Sequence, residues 1–169
     1  MPEDPSFPKL VRDLMSVGVE TCTPDTPIIE LARAMIERNI EEVVVLEEGN
    51  AIGIVGQDEV IKAFLSEDYR SLSAEDVMVE GVPEIPPDIP LQAAAQFMQD
   101  RGLRTLFLMH QSAGFEYPAA VITYRHLLRL MAAKDMNDLK DLGIQAERQS
   151  PLDVFIKRRD AARKGLHKK

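Results

Sequence analysis

Few residues in this chain are of types that carry chemistry, and their spacing excludes most of it. His110, His126 and His167 share no metal-ligand spacing. Cys22 is the single cysteine, so no intrachain disulfide can form. With no histidine or acid cluster beside it, Cys22 reads as a small apolar side chain near a strand rather than a nucleophile. No Gly-rich phosphate loop and no triad-like set of residues stands out, so an enzyme is not expected. What remains is a basic and hydroxyl group of residues, Arg101, Arg104, Thr123, Arg125 and His126, set against acids in the first half, Glu41, Glu42 and Glu59. Thr123 directly precedes a helical pattern and is placed to cap it. A neutral His126 can accept one hydrogen bond but cannot grip two hydroxyls as a carboxylate does.

The elements that must position these residues are built from aliphatic side chains. Apolar residues make up 45% and charged residues 28% of the 169, Trp is absent, and a globular, soluble fold is expected. The net charge of −8 argues against sequence-independent nucleic-acid binding by the body. From Leu152 to Lys169 seven basic residues oppose two aspartates, a net +5 that leaves −13 on the rest. The acidic, Pro-rich start (Met1–Pro5) is unlike a signal peptide, and no apolar run reaches the roughly 20 residues of a membrane helix, so a cytoplasmic location is expected.

Internal self-similarity organises the chain. Asp13-Leu14-Met15 recurs as Asp76-Val77-Met78, Pro24-Asp25 as Pro87-Asp88, Pro27 as Pro90, Met35 as Met98 and Val45 as Leu108, all 63 residues apart. Gly53-Ile54-Val55 then aligns with Ala120-Val121-Ile122 at an offset of 67, which puts four extra residues in the Gln111–Tyr117 turn. Each copy reads β-α-β-β-α, which makes the fold class α+β. Thr26 suits an N-cap and Pro27 a first helical position. Ile28, Leu31, Ala32, Met35 and Ile36 form a helical stripe, repeated by Leu91, Ala94, Ala95 and Met98. The runs Val43–Leu46 with Ala51–Val55, and Thr105–Met109 with Ala119–Ile122, read as strand pairs. Helices follow from Gln57 to Leu65 and from Tyr124 to Ala133. The divisions are an N-terminal extension (1–8), two repeats (9–70 and 71–135) and a basic helical tail (136–169). One copy alone is too small for a good core, so the two must pack together.

These residues resemble the CBS domain, the cystathionine-β-synthase-type repeat that occurs in pairs. The carriers are Val11–Met15, Thr23–Pro27, Ala32-x-x-Met35, Ile40–Leu46 and Gly53–Glu59. In the second copy they are Ala74–Met78, Pro87-Asp88-x-Pro90-Leu91, Ala94-x-x-x-Met98 and Val121–His126. The resemblance implies a pseudo-twofold pair with two clefts that hold AMP, ADP, ATP or S-adenosylmethionine, no required cofactor, assembly as a homodimer, and regulation of a partner protein. The family signature places a hydroxyl before the last helix, to meet phosphates with the helix N-terminus, and an Asp one turn later to hold the ribose. The first copy has Gly56 and Glu59 at those positions, and Glu41 and Glu42 nearby would repel a phosphate. The second has Thr123 and His126, with Arg104 before the strand. One functional cleft is therefore expected, in the second copy, formed by Thr123, His126 and Arg104 with apolar walls from Ile85 and Val121; Glu59 is the first copy's candidate.

The tail carries short apolar stripes (Met136, Leu139, Leu142, Ile144; then Leu152, Phe155, Ile156) beside basic residues. The rival reading is a ligand-free dimer scaffold whose tail contacts a partner.

Overall fold

The computed structural model describes residues 7–141. Within them the chain forms α1 (Val11–Leu14), β1 (Ser16–Val17), β2 (Thr21–Cys22), α2 (Ile28–Arg38), β3 (Glu42–Glu47), β4 (Asn50–Gly56) and α3 (Gln57–Phe64). The second copy follows as α4 (Ala74–Val77), β5 (Val79–Glu80), α5 (Leu91–Arg101), β6 (Thr105–Ser112), β7 (Phe115–Thr123) and α6 (Tyr124–Ala132), with a single parallel bridge from Glu84 to Phe107 where the first copy has β2, and α7 (Met136–Asp141) ends the described residues. Leu142, Ile144 and the whole of 150–169, where a basic helix is expected, lie outside them. No described helix is long and apolar enough to cross a membrane.

The duplication is kept down to backbone detail. Both long helices stop at a left-handed residue, Asn39 (φ 53°) after α2 and Gly102 (φ 64°) after α5, 63 positions apart. Both hairpins slip register at one place, between Val45 and Leu46 and between Leu108 and Met109. Both turn through two left-handed residues, Glu48-Gly49 and Ala113-Gly114. The four extra residues of the second copy therefore do not enlarge its turn. They lengthen its hairpin by two cross-strand pairs, Gln111↔Glu116 and Ser112↔Phe115, beyond the length of the first.

The repeated Asp-x-Met motif has a local cause. Asp13 accepts from the Leu10 N–H (3.1 Å) and Asp76 from the Ser73 N–H (2.8 Å), which satisfies donors that each short helix leaves free. Thr26, expected as the N-cap of α2, instead accepts from the Thr23 N–H (3.1 Å), and the cap position falls on Pro27.

The copies exchange their leading segments. β1 pairs antiparallel with β7 of the second repeat, and β5 with β4 of the first. The Leu91 N–H donates to the Lys9 carbonyl, and its counterpart Ile28 N–H donates to the Leu72 carbonyl, both at 2.9 Å. Ala74 accordingly sits in the core of the first repeat with Leu31, Met35, Val43, Val45 and Val55. Val11 and Leu14 sit in the second, with Leu91, Ala94, Met98, Leu106 and Ile122, which Leu139 of α7 completes. Strand alternation supplies the third core: Val44, Ile54 and Phe107 face across the join between the two sheets. Each repeat therefore depends on the other for hydrogen bonds and for core.

Candidate functional site

A cleft of about 350 Å³ opens where the repeats meet. The second copy contributes Thr105 and Phe107 of β6, Val121 and Thr123 at the end of β7, and Arg125, His126 and Arg129 of α6. The first copy contributes Ser16 and the following turn to Glu20, and the corner from Arg38 to Glu42 between α2 and β3. Gly18 within that turn has φ 95°, a conformation that favours glycine. Val19, Ile40, Phe107 and Val121 give it apolar surface on both sides, as a planar ring requires.

His126 is fixed by geometry. Its Nδ1 accepts from the Thr123 N–H (2.9 Å), so the single proton of the neutral ring is on Nε2, which donates to Ser16 Oγ (2.8 Å). Burial, reinforced by Arg129 and Arg125, lowers its pKa to about 4. Both ring nitrogens are occupied, and the hydroxyl left to meet a ligand is that of Ser16. Thr123 caps α6, with its Oγ1 accepting from the His126 N–H at 3.4 Å.

Glu42 and Thr105, counterparts 63 positions apart, come together in this cleft. Thr105 is only 2% exposed. Glu42 Oε2 and Thr105 Oγ1 are buried with no well-formed hydrogen bond, although the threonine hydroxyl lies close enough to favour the carboxylate. Burial, then Glu59, Glu41 and Asp58, raises the Glu42 pKa to about 7.

The cleft thus gathers Thr123, His126 and Val121 of the residues singled out in the sequence. Ile85 lies elsewhere, 6% exposed in the core of the second repeat. Arg104 is exposed and does not line the cleft; its carbonyl accepts from the Tyr124 N–H. Glu59 also stands apart. Its Oε2 accepts from the Gly56 N–H (3.1 Å) and its Oε1 faces Lys62 (3.4 Å). A Cβ on Gly56 would lie 2.9 Å from Glu59 Oε2 and 3.3 Å from Glu42 Cγ, so acidic side chains fill the corner where the second copy carries Thr123. Ser16, Thr105 and Arg129 carry no cleft signal in the sequence, and Glu42 stands there as a charge beside the first copy's site. The signal for Glu42 was its register with Thr105.

A second cavity, about 370 Å³, lies between β2 and α2 around Cys22. It is built from the first repeat alone, and burial raises the Cys22 pKa, which keeps it a thiol. The inter-repeat cleft, with two buried oxygens that make no well-formed hydrogen bond, is the better candidate. Among the described residues no group of three or more His, Cys, Asp or Glu could hold a metal ion.

The sequence matches the CBS-domain family twice, over residues 11–66 and 74–133, and the chain belongs to that family as a tandem pair. Its fold is that of solved CBS pairs. The CBS domain pair of protein MJ0100, in complex with 5′-methylthioadenosine and S-adenosyl-L-methionine, is 22% identical with a TM-score of 0.64, covering 75% of this chain and 98% of that one. The CBS-domain containing protein ATU1752 from Agrobacterium tumefaciens is 20% identical with a TM-score of 0.66, covering 75% and 96%. A comparison with curated proteins found no match.

Proposed function

We propose that this chain is a regulatory module, not an enzyme, that binds one adenosine-type ligand in the inter-repeat cleft and signals its occupancy to a partner protein. The observation that carries this reading is the cleft itself: apolar surface from both repeats, the capped N-terminus of α6 and a buried hydroxyl at Thr105. The MJ0100 pair, of the same fold, was solved with two adenosyl compounds. Binding that spans both repeats would tighten their mutual packing, which is a physical route from ligand to partner. Calorimetry with AMP, ADP, ATP, S-adenosylmethionine and 5′-methylthioadenosine tests it. At least one should bind below millimolar concentration and raise the melting temperature by mass action; silence from all five would refute it.

The chain works as a homodimer in this reading. Ile61 and Phe64 on α3 and their counterparts Leu128 and Met131 on α6 are 62–80% exposed, an apolar surface repeated on both copies that suits a second copy of the chain. Light scattering should give twice the chain mass, and Phe64→Glu with Met131→Glu should halve it.

A ligand-free scaffold acting through residues 152–169 is the second reading. It is favoured by the filled corner at Gly56 and by the occupied nitrogens of His126. Deleting 152–169 would then abolish partner binding, and no nucleotide would change the melting temperature.

A further inference from the structure

The cleft has two electrical poles. His126 is perturbed by Arg129 and Arg125 and by no carboxylate, whereas Glu42 is perturbed by Glu59, Glu41 and Asp58 and by no arginine. The positive pole therefore belongs to α6, and the negative pole to the start of β3 with α3 behind it. Arg38, which also lines the cleft, is paired with Glu20 and does not neutralise Glu42. At the negative pole Glu42 Oε2 and Thr105 Oγ1 are buried without well-formed partners, and Thr105 is 98% buried. Buried oxygens in that state are costly unless something donates to them.

We infer that the cleft selects an adenosyl compound bearing an α-amino acid group, with its cationic centre, ammonium or sulfonium, against Glu42 and Thr105 and its carboxylate toward Arg125 and Arg129. The inference rests on the adenosine reading above and narrows it. A cation at Glu42 supplies the charge and the donors that this corner lacks. A phosphate there would meet Glu42 and Glu41, with the field of Glu59 and Asp58 behind them. At the other pole, a carboxylate can take a charge-assisted hydrogen bond from a guanidinium. The resident carboxylate thus turns a fold able to hold nucleotides toward a zwitterion.

The test is calorimetry of the full chain at pH 8 with S-adenosylmethionine, 5′-methylthioadenosine, which has the same nucleoside without the amino acid, and AMP. S-adenosylmethionine should bind at least about tenfold tighter than 5′-methylthioadenosine, with AMP weakest. Glu42→Gln and Arg129→Gln should each erase most of that advantage while leaving 5′-methylthioadenosine within about twofold, which also shows that the variants are folded. Equal or tighter binding of 5′-methylthioadenosine by the unaltered chain overturns the inference and spares the adenosine reading. So does AMP as the tightest ligand, or an S-adenosylmethionine affinity that Glu42→Gln does not change. If no adenosyl compound binds the chain or its variants, the adenosine reading fails and this inference with it.

Discussion

At the corner where the first repeat's hairpin enters its closing helix stand Glu42, Gly56 and Glu59; at the same corner of the second stand Thr105, Thr123 and His126. In both, the third helical residue folds back to accept from the N–H before the helix, at Gly56 (3.1 Å) and at Thr123 (2.9 Å). One task is therefore done by a carboxylate in one copy and by an imidazole in the other, with opposite electrostatic consequences. Glu59 adds charge to a corner that already repels it, and Glu42 responds by holding its proton to about pH 7. His126 stays neutral and donates its one ring N–H to Ser16 of the exchanged segment. A duplicated scaffold can thus keep its backbone and lose its electrical symmetry through three side chains.

The two titrations should pull stability in opposite directions. The folded state holds the Glu42 proton more tightly than the unfolded chain does, so the stabilisation is complete below pH 4.5 and is lost as pH rises through about 7. Glu42→Gln keeps the neutral form at every pH. It should add up to about 3 kcal/mol to the unfolding free energy at pH 8 and nothing at pH 4. Urea denaturation at the two pH values measures this, and an equal gain at both would place the charge elsewhere.

His126 has the opposite sign. Its folded pKa of about 4 lies below the ordinary 6.5, so its contribution is complete above pH 6.5 and lost as pH falls toward 4. His126→Ala removes the bond to Ser16 as well as the cap and should cost about 2 kcal/mol at pH 7.5. Glu59→Ala, at a partly exposed cap, should cost about 1 kcal/mol. Equal costs in thermal or urea unfolding would break the asymmetry claimed for the two corners.

A more local effect concerns the exchanged strands. A Cβ on Gly53 would stand 2.6 Å from the Val79 carbonyl in β5, whereas its counterpart Ala120 already carries one beside β1. Gly53→Ala should therefore cost about 1–2 kcal/mol, against less than about 1 kcal/mol for Ala120→Gly. Amide hydrogen exchange on β5 should report the first substitution and not the second.

The constant offsets make the fold legible in the sequence. Helix stripes, paired strands and the Asp-x-Met turns all recur where the spacing of 63 or 67 puts them. The exchange of leading segments was hidden, because a repeat looks the same whether its first strand pairs at home or with its twin. Ile85 shows a finer limit. Its neighbour Glu84 bridges Phe107 and is exposed, so a single residue of register decides which side chain enters the core. In the sequence Glu42 stands as a charge near the first copy's cleft. It faces the cleft of the second because β3 and β6 both begin at the join between the repeats, a proximity that only the packed pair creates.

One inter-repeat cleft is open in this reading, and acidic side chains fill the equivalent corner at Gly56. Calorimetric stoichiometry of S-adenosylmethionine checks this, with Val121→Phe as the variant that obstructs the cleft. One ligand per chain is expected, with loss of all binding in Val121→Phe. Two ligands per chain, or one that survives that substitution, would contradict it.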